Sequence, residues 1–311
     1  MKLKLRTSYF LIFVIICFYS HCQNVEKSSK YVLNKENGRI ILAYKAFEDY
    51  LKSEKSWENY QKCLLDRFPE MQYLHKRNIK YHFIDSTDFC EDVLNFSIDS
   101  FKVFLNRIND KKINELYDTI ILKCNEQLTP LNKVDLCFYL PYGDCFMINN
   151  EGKQTIFISL KYSIDKIPLI LCHEYAHCLH HQRRPEETDH LKRKMITEGI
   201  ASYLPTIIFE NSFIYNGLWM MPKEAIDWCI EHEQAIKDSI ILEWNDGGMN
   251  TVKRYIAGGT GFAAPPEGFP EKTAYYAGYR IIESCFNKGM TLSEICSLYA
   301  ETVINNSGYF K

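Results

Sequence analysis

Residues 171–181 read LCHEYAHCLHH, and the interpretation of the whole chain starts from this stretch. The chain has nine histidines, and four of them lie here beside one glutamate. The apolar run IPLIL at 167–171 leads into the stretch, so we predict a helix with a buried face. Imidazole and carboxylate groups are costly on a buried face unless they hold an ion, and they therefore indicate a metal site. The groups in question are His173, Glu174, His177, His180 and His181.

His173, Glu174 and His177 form the pattern HExxH. On a helix, positions i and i+4 lie about 40° apart around the axis and one turn apart along it. Both imidazoles can therefore meet one zinc ion, each at about 2.0–2.1 Å. Glu174 projects beside them, where it can take a proton from a metal-bound water. We predict a single zinc with His173 and His177 as ligands and Glu174 as general base.

A catalytic zinc needs a third protein ligand and an open position for water. His180 and His181 lie about 10 and 12 Å along the helix from His173, which is too far for one ion. We interpret both as polar residues at the helix end, where an imidazolium would suit the negative end of the helix dipole. The longer pattern HExxHxxGxxH also fails, because His180 and Arg183 stand at its glycine and third-histidine positions.

Glu198 is the predicted third ligand. It lies 21 residues after His177, on a predicted helix over 189–204. Pro185 is predicted to end the first helix, so the two helices would run antiparallel and bring Glu198 level with the histidines. Its neighbours, including Ile196 and Ile200, are largely apolar, and a carboxylate there would be costly without a cation.

The rest of the chain divides by its periodicity. Residues 30–133 carry apolar side chains at three- and four-residue spacing, and stretches such as GRIILAYKAFEDYLKS (38–53) are predicted to be helical. Three short runs rich in aromatic and branched residues follow and predict a small antiparallel sheet. Asp165 is the predicted N-cap of the HExxH helix, and further helices are predicted at 222–243 and in a pair from residue 273 onward. The three strands are predicted at 135–140, 145–149 and 155–161.

The two motifs HEYAH (173–177) and TEGIASY (197–203) together resemble the gluzincin clan of zinc metallopeptidases. More narrowly, the chain resembles the family of predicted zinc-dependent proteases known as DUF2268. The resemblance covers about residues 130–290 and includes the later element AYYAGYRI, with Ala274 where a glycine is typical. Ser202 stands where such families often carry an acidic residue.

The resemblance implies an α+β, zincin-like fold, with the small antiparallel sheet packed against the HExxH helix. It implies hydrolysis of peptide bonds by a zinc-activated water, with Glu174 passing the proton to the leaving amine. A tyrosine or histidine from a downstream helix usually stabilises the oxyanion, and Tyr275 and Tyr279 are the candidates here. The strand TIFISLK (155–161) would be the edge along which a peptide substrate adds. The glycine- and proline-rich loop 258–271 would cover the cleft.

The N-terminus predicts export. Lys2, Lys4 and Arg6 precede the apolar run 9–20, which is the pattern of a signal peptide over residues 1–22 and is shorter than the ~20 residues of a spanning helix. We expect a periplasmic or extracellular protein. Cleavage before Gln23 would release it, whereas lipidation of Cys22 would anchor it and is the one membrane association expected.

These predictions define three segments: the signal peptide, an N-terminal helical region over 23–133 and a zincin-like catalytic domain over 134–311. The net charge of −2 argues against a nucleic-acid binder. The chain has twelve cysteines and no CxxC, so we expect mostly buried free thiols with one or two disulfide bridges, and packing roles for Cys172 and Cys178. Two alternatives use the same zinc ligands: a binding protein with a non-hydrolytic zinc, and an amidase or esterase acting on a non-peptide substrate.

Overall fold

The computed structural model describes most of the chain after the N-terminus. The predicted signal peptide, Cys22 and Pro185 lie outside the described residues. Within them, no helix is both long enough and apolar enough to cross a membrane. The described ranges are 30–80, 85–183, 191–209, 214–244, 248–257 and 263–311.

The described strands form one mixed sheet of five, in the order β1-β2-β3-β5-β4. Strands β1 and β2 pair antiparallel, with Val32 opposite Ile41. Strand β2 pairs parallel with β3, with Ile40 opposite Leu136. The α+β class is confirmed, but the sheet is larger than predicted and is not purely antiparallel. The strands are β1 (Val32–Lys35), β2 (Gly38–Leu42), β3 (Val134–Tyr139), β4 (Phe146–Asn150) and β5 (Lys153–Ser159).

The main error of the sequence prediction lies at Gly38–Leu42, which was assigned to a helix and is strand β2. Ile40, Ile41 and Leu42 are consecutive and all buried. A short, continuous apolar run is compatible with a strand buried on both faces and equally with a buried helical turn. Periodicity therefore could not separate the strand from helix α1 (Ala43–Leu51), which follows it directly.

Strand β5 was predicted to be the edge of the sheet, and this is wrong. It lies between β3 and β4, so that β4 forms the edge on this side. The turn at Glu151 and Gly152 has φ values of 52° and 83° and reverses the chain between β4 and β5. Residues 154–159 of β5 are all buried, whereas β4 ends in two exposed asparagines. The continuous burial of β5 around its apolar run 156–158 is typical of an interior strand.

The described residues cluster into two compact units, whose ranges below refer to those residues alone. The first contains the residues up to Asn106, together with Asp135–Asp144 and Phe157–Lys161. The second contains Arg107–Val134, Cys145–Ile156 and Tyr162–Lys311. The boundary proposed from sequence at residues 133 and 134 stays a prediction.

The first unit is mostly helical, as predicted. The side chains of Ser56 and Ser97 accept hydrogen bonds from backbone N–H groups three residues later and cap α2 and α5. Single π-helical segments follow α2 and α4. Besides α1, its helices are α2 (Trp57–Tyr60), α3 (Pro69–Lys80), α4 (Ser86–Phe89) and α5 (Ile98–Leu105).

The second unit holds the HExxH helix, α8. This helix begins at Ile167, and the carbonyl of Lys166 accepts the N–H of Ile170, so Asp165 is not its N-cap. Pro168 lies in the first turn, as predicted, where a proline has no hydrogen bond to lose. Helix α8 packs against the edge strand β4.

The other predicted helices of this unit are present with shifted ends, and the last pair is a set of three. The helices are α6 (Asp110–Leu116), α7 (Leu122–Gln127), α8 (Ile167–Arg183), α9 (Leu191–Ile208), α10 (Ile214–Gly217), α11 (Lys223–Glu231), α12 (Glu233–Glu243), α13 (Met249–Ile256), α14 (Thr273–Asn287), α15 (Leu292–Cys296) and α16 (Ala300–Ser307).

Helices α9 and α14 touch backbone to backbone at a pair of glycines. A Cβ atom on Gly199 would lie 2.4 Å from the backbone carbonyl of Gly278. A Cβ atom on Gly278 would lie 2.1 Å from the carbonyl oxygen of Met195. Real Cβ contacts are never this short, so both positions require glycine. The contact brings Glu198, next to Gly199, close to residues on the preceding turn of α14.

Candidate metal centre

The three predicted ligands converge on one point. The Nε2 atoms of His173 and His177 on α8 are 3.1 Å apart. Oε2 of Glu198 on α9 lies 3.4 Å from Nε2 of His173 and 3.3 Å from Nε2 of His177. These residues form a group that could hold a metal ion.

The separations fit zinc. A tetrahedral zinc with bonds of about 2.0–2.1 Å holds its ligand atoms about 3.3–3.4 Å apart, close to the three distances observed. Oε2 of Glu198 is buried and has no hydrogen-bond partner among the described residues. A buried carboxylate oxygen without a partner is costly, and a cation between the three atoms would remove that cost.

Electrostatic interactions among the ligands also shift the pKa values of Glu198 and His177. Burial raises the pKa of the Glu198 carboxyl, but the two imidazoles outweigh burial and hold this pKa below its ordinary range. Burial lowers the pKa of His177, and the neighbouring Glu198 carboxylate outweighs this effect and raises it. Glu198 is therefore ionised near neutral pH, as a metal ligand must be.

Glu174 lies beside this group and is 7% exposed. Its carboxylate accepts a hydrogen bond from the backbone N–H of Met147 on strand β4. Burial raises the pKa of Glu174, although the two histidines and the Met147 amide act in the opposite direction. A carboxylate with a raised pKa is a better proton acceptor at neutral pH, as a general base requires.

The two tyrosines predicted as oxyanion donors lie in different surroundings. Tyr275 stacks on His173, with ring centroids 6.4 Å apart and planes 12° apart, and its hydroxyl lies within hydrogen-bonding reach of the Glu198 side chain. Tyr279 instead packs on Tyr203, with ring centroids 5.4 Å apart, and lies within hydrogen-bonding reach of Thr206. Only Tyr275 of this pair is in contact with the metal centre, and we assign Tyr279 a packing role.

Trp219 was not identified from the sequence. It lies in the turn after α10, and its ring meets that of His173 edge to face, with centroids 6.3 Å apart and an interplanar angle of 87°. The chain has four tryptophans, and nothing in the local sequence distinguishes this one. Its proximity to His173 depends on how α10 packs on α9, which no local pattern encodes.

The prediction for His180 requires correction. This polar residue near the helix end is only 1% exposed. Burial, reinforced by the nearby Arg193, lowers the pKa of His180 to about 3, so the ring is neutral and gains nothing from the helix dipole. His181 is partly exposed, and burial lowers its pKa as well. Neither histidine belongs to the metal group.

The buried His180 predicts that acid destabilises the fold. The unfolded chain binds a proton at this histidine below pH ~6.5, whereas the folded chain does so only near pH 3. Stability therefore falls as pH falls through this window, by up to about 1.4 kcal/mol per pH unit. Between pH 7 and pH 5, the free energy of unfolding of metal-free wild type should drop about 2 kcal/mol more than that of His180→Gln. Urea denaturation at both pH values measures this, and equal drops would show that His180 titrates normally.

All ten cysteines in the described part of the chain are free thiols, which agrees with the main part of the sequence prediction, but none of them forms the one or two bridges expected. Cys172 and Cys178 are buried in the α8 packing interface. The sulfur of Cys172 lies 3.7 Å from that of Cys124 on α7, and burial raises the pKa of Cys172 well above its usual value. These thiols pack α8 and do not face the metal group.

Comparison with known proteins gives one result. A family model described as "Predicted Zn-dependent protease (DUF2268)" matches residues 105–305, well over half of the chain. No curated protein and no solved structure gives a match. The matched region includes every residue of the metal centre, so the family suggested by HEYAH and TEGIASY is confirmed.

Proposed function

Because the chain belongs to the DUF2268 family of predicted zinc-dependent proteases, we propose that it hydrolyses peptide bonds at a zinc ion held by His173, His177 and Glu198. The observation that carries this proposal is the metal group with Glu174 buried beside it. A purely structural site would need the three ligands, but it would have no use for a buried carboxylate that holds no metal. The ligand set of HExxH and a downstream glutamate supports a gluzincin-type enzyme with a zincin-like fold.

Glu174 and Tyr275 would have different roles beside the metal ligands. When bound, zinc supplies Lewis acidity, polarising a carbonyl and acidifying a water molecule. Glu174, held by the Met147 amide, accepts the proton of the attacking water and delivers it to the leaving amine. The pKa of Tyr275 is raised well above its usual value, first by burial and then by Glu198. Its hydroxyl therefore keeps its proton and is the candidate donor to the developing oxyanion.

Strand β4 is the proposed place for the substrate backbone. It is the edge strand next to α8 and carries Met147, the partner of Glu174. An extended peptide can add to such an edge by main-chain hydrogen bonds. The predicted cover of the cleft, loop 258–271, lies partly outside the described residues and stays a prediction, as does export to the periplasm or exterior.

The proposal is tested by metal content and cleavage together. Purified protein should contain one zinc per chain and cleave members of a complex peptide mixture, read by mass spectrometry. A chelator should abolish cleavage, and added zinc should restore it. Stoichiometric zinc without any cleavage would support the binding-protein alternative, and hydrolysis of amide or ester compounds alone would support the non-peptide alternative.

Glu198→Gln should lose most of its zinc affinity, because an amide is a poor, uncharged ligand. We expect the dissociation constant to rise at least ~100-fold, measured by competition with a chromophoric chelator. The matched control is Glu233→Gln. Glu233 lies on α12, and its carboxylate pairs with Arg280 at 3.1 Å. This variant should bind zinc normally. Unchanged affinity in Glu198→Gln would remove Glu198 from the ligand set.

A further inference from the structure

His173 differs from most histidines that hold metals in proteins. Such a histidine normally donates its second ring N–H to a carboxylate or carbonyl, which fixes the orientation of the ring. The second nitrogen of His173, Nδ1, is buried and has no hydrogen-bond partner among the described residues. Something other than a hydrogen bond must therefore hold this ring in place.

Two aromatic rings contact His173. Tyr275 lies parallel to it and Trp219 meets it at nearly a right angle, with centroid distances of 6.4 and 6.3 Å. Both distances fall in the range of favourable aromatic pairs. Rotation of the imidazole about its χ2 axis would change its packing geometry against both neighbours, so the two rings together favour one orientation.

The segment that carries Trp219 is held against the backbone of α9. Two residues earlier, Gly217 packs so closely on this helix that an added Cβ would lie 2.4 Å from the carbonyl oxygen of Ser202. The neighbouring Leu218 is buried. The backbone that carries the indole is thus held close to the helix that carries Glu198.

The indole also carries a cost. Its Nε1 atom is buried and has no hydrogen-bond partner among the described residues. An unsatisfied buried N–H is unfavourable, and a phenylalanine would fill much of the same space without it. For stability alone, tryptophan is therefore a poor choice at this position.

We propose that Trp219 is a positioning residue that, together with Tyr275, orients the His173 imidazole toward the metal by aromatic packing in place of the missing hydrogen bond. This inference rests on metal binding by His173, His177 and Glu198, which is part of the proposed function. It does not require that the protein cleaves peptides. Its failure is therefore distinguishable from a failure of the protease assignment.

The test uses cobalt as the probe, because cobalt replaces zinc in such sites and its visible spectrum reports ligand geometry. Trp219→Leu removes the aromatic edge, and Trp219→Phe keeps it but removes the N–H. We expect Trp219→Leu to bind cobalt on the order of 10-fold more weakly, with a shifted or broadened visible spectrum. Trp219→Phe should stay within about 3-fold of wild type and keep the wild-type spectrum, since its ring still packs on His173.

The matched control is Trp228→Leu. Trp228 also stacks on a histidine, His232, with ring centroids 4.3 Å apart. Trp228 lies on α11 and His232 directly follows this helix, and neither residue belongs to the metal group. This variant should bind cobalt like wild type. Circular dichroism and thermal melting accompany each titration. If Trp219→Leu does not fold, the comparison of Trp219→Phe with wild type remains, and a weakened, spectrally altered Trp219→Phe would overturn the packing account.

Two further results would overturn the inference. One is wild-type affinity and spectrum in a folded Trp219→Leu. The other is equal weakening in the Leu and Phe variants, which would assign the effect to the N–H rather than to the ring. Loss of peptide cleavage with unchanged cobalt binding in Trp219→Leu would likewise contradict a role through His173.

Discussion

Glu174→Gln should lose peptide hydrolysis almost completely and keep its zinc. Glutamine has nearly the same shape, and its amide oxygen can still accept the N–H of Met147, so the site should remain assembled. It cannot accept a proton, and general-base catalysis typically contributes about 10²–10⁴-fold to a rate. We therefore expect kcat to fall by about that factor while the zinc content stays at the wild-type level.

The control for this variant is Glu243→Gln, which changes a carboxylate on α12 that pairs with Arg254 at 2.9 Å. It should cleave peptides at the wild-type rate. Zinc is measured by elemental analysis and kcat by peptide cleavage under saturating substrate. Glu174→Gln that cleaves at a normal rate would exclude Glu174 as the base and with it the proposed chemistry.

Gly278→Ala should destabilise the second unit and disturb the metal centre together. The added methyl group would lie 2.1 Å from the Met195 carbonyl oxygen and 3.0 Å from the Gly199 backbone, and these main-chain atoms cannot rotate away. Helices α9 and α14 must separate, and such overpacking typically costs about 1–3 kcal/mol, occasionally more. Because Glu198 and Tyr275 lie next to this contact, zinc affinity should fall as well.

Gly199→Ala should act in the same way, since its methyl group would meet the Gly278 backbone at 2.4 Å. Gly143→Ala is the matched control, because the nearest atom to its methyl group is a side-chain carbon of Lys161 at 3.7 Å, an ordinary contact. Thermal melting measures the stability of the three variants, and zinc titration measures their zinc affinity. A Gly278→Ala protein as stable as Gly143→Ala would mean that the helices tolerate separation.

The parts that could be predicted from sequence are those encoded by short-range spacing. His173, Glu174 and His177 are fixed by one helical turn, and Glu198 follows from an antiparallel return of the chain with a carboxylate among apolar neighbours. The sequence could not show that Gly38–Leu42 is a strand rather than part of a helix, because Ile40, Ile41 and Leu42 suit a buried strand and a buried helix equally. The edge position of β4 was missed because strand order depends on long-range pairing, which local pattern does not contain.

The other features that the sequence did not predict also depend on long-range packing. His180 was predicted to be a polar, charged residue at the helix end, and only the packing of the second unit buries it. Trp219 reaches His173 because Gly217 allows α10 to approach α9 closely. Tyr275 and Tyr279 are one turn apart and indistinguishable in sequence, yet the contact between α9 and α14 places only the first beside Glu198.

The hydrogen bond from Met147 to Glu174 has a consequence for substrate selectivity. Under the proposed function, the strand that pairs with the substrate backbone is the same strand that orients the base. A peptide that pairs poorly with β4 would then leave the base less well held, so discrimination among substrates would occur in the rate of bond cleavage as well as in binding. Selectivity of this kind depends on backbone shape and extension, and it would allow one enzyme to process peptides of very different side-chain composition.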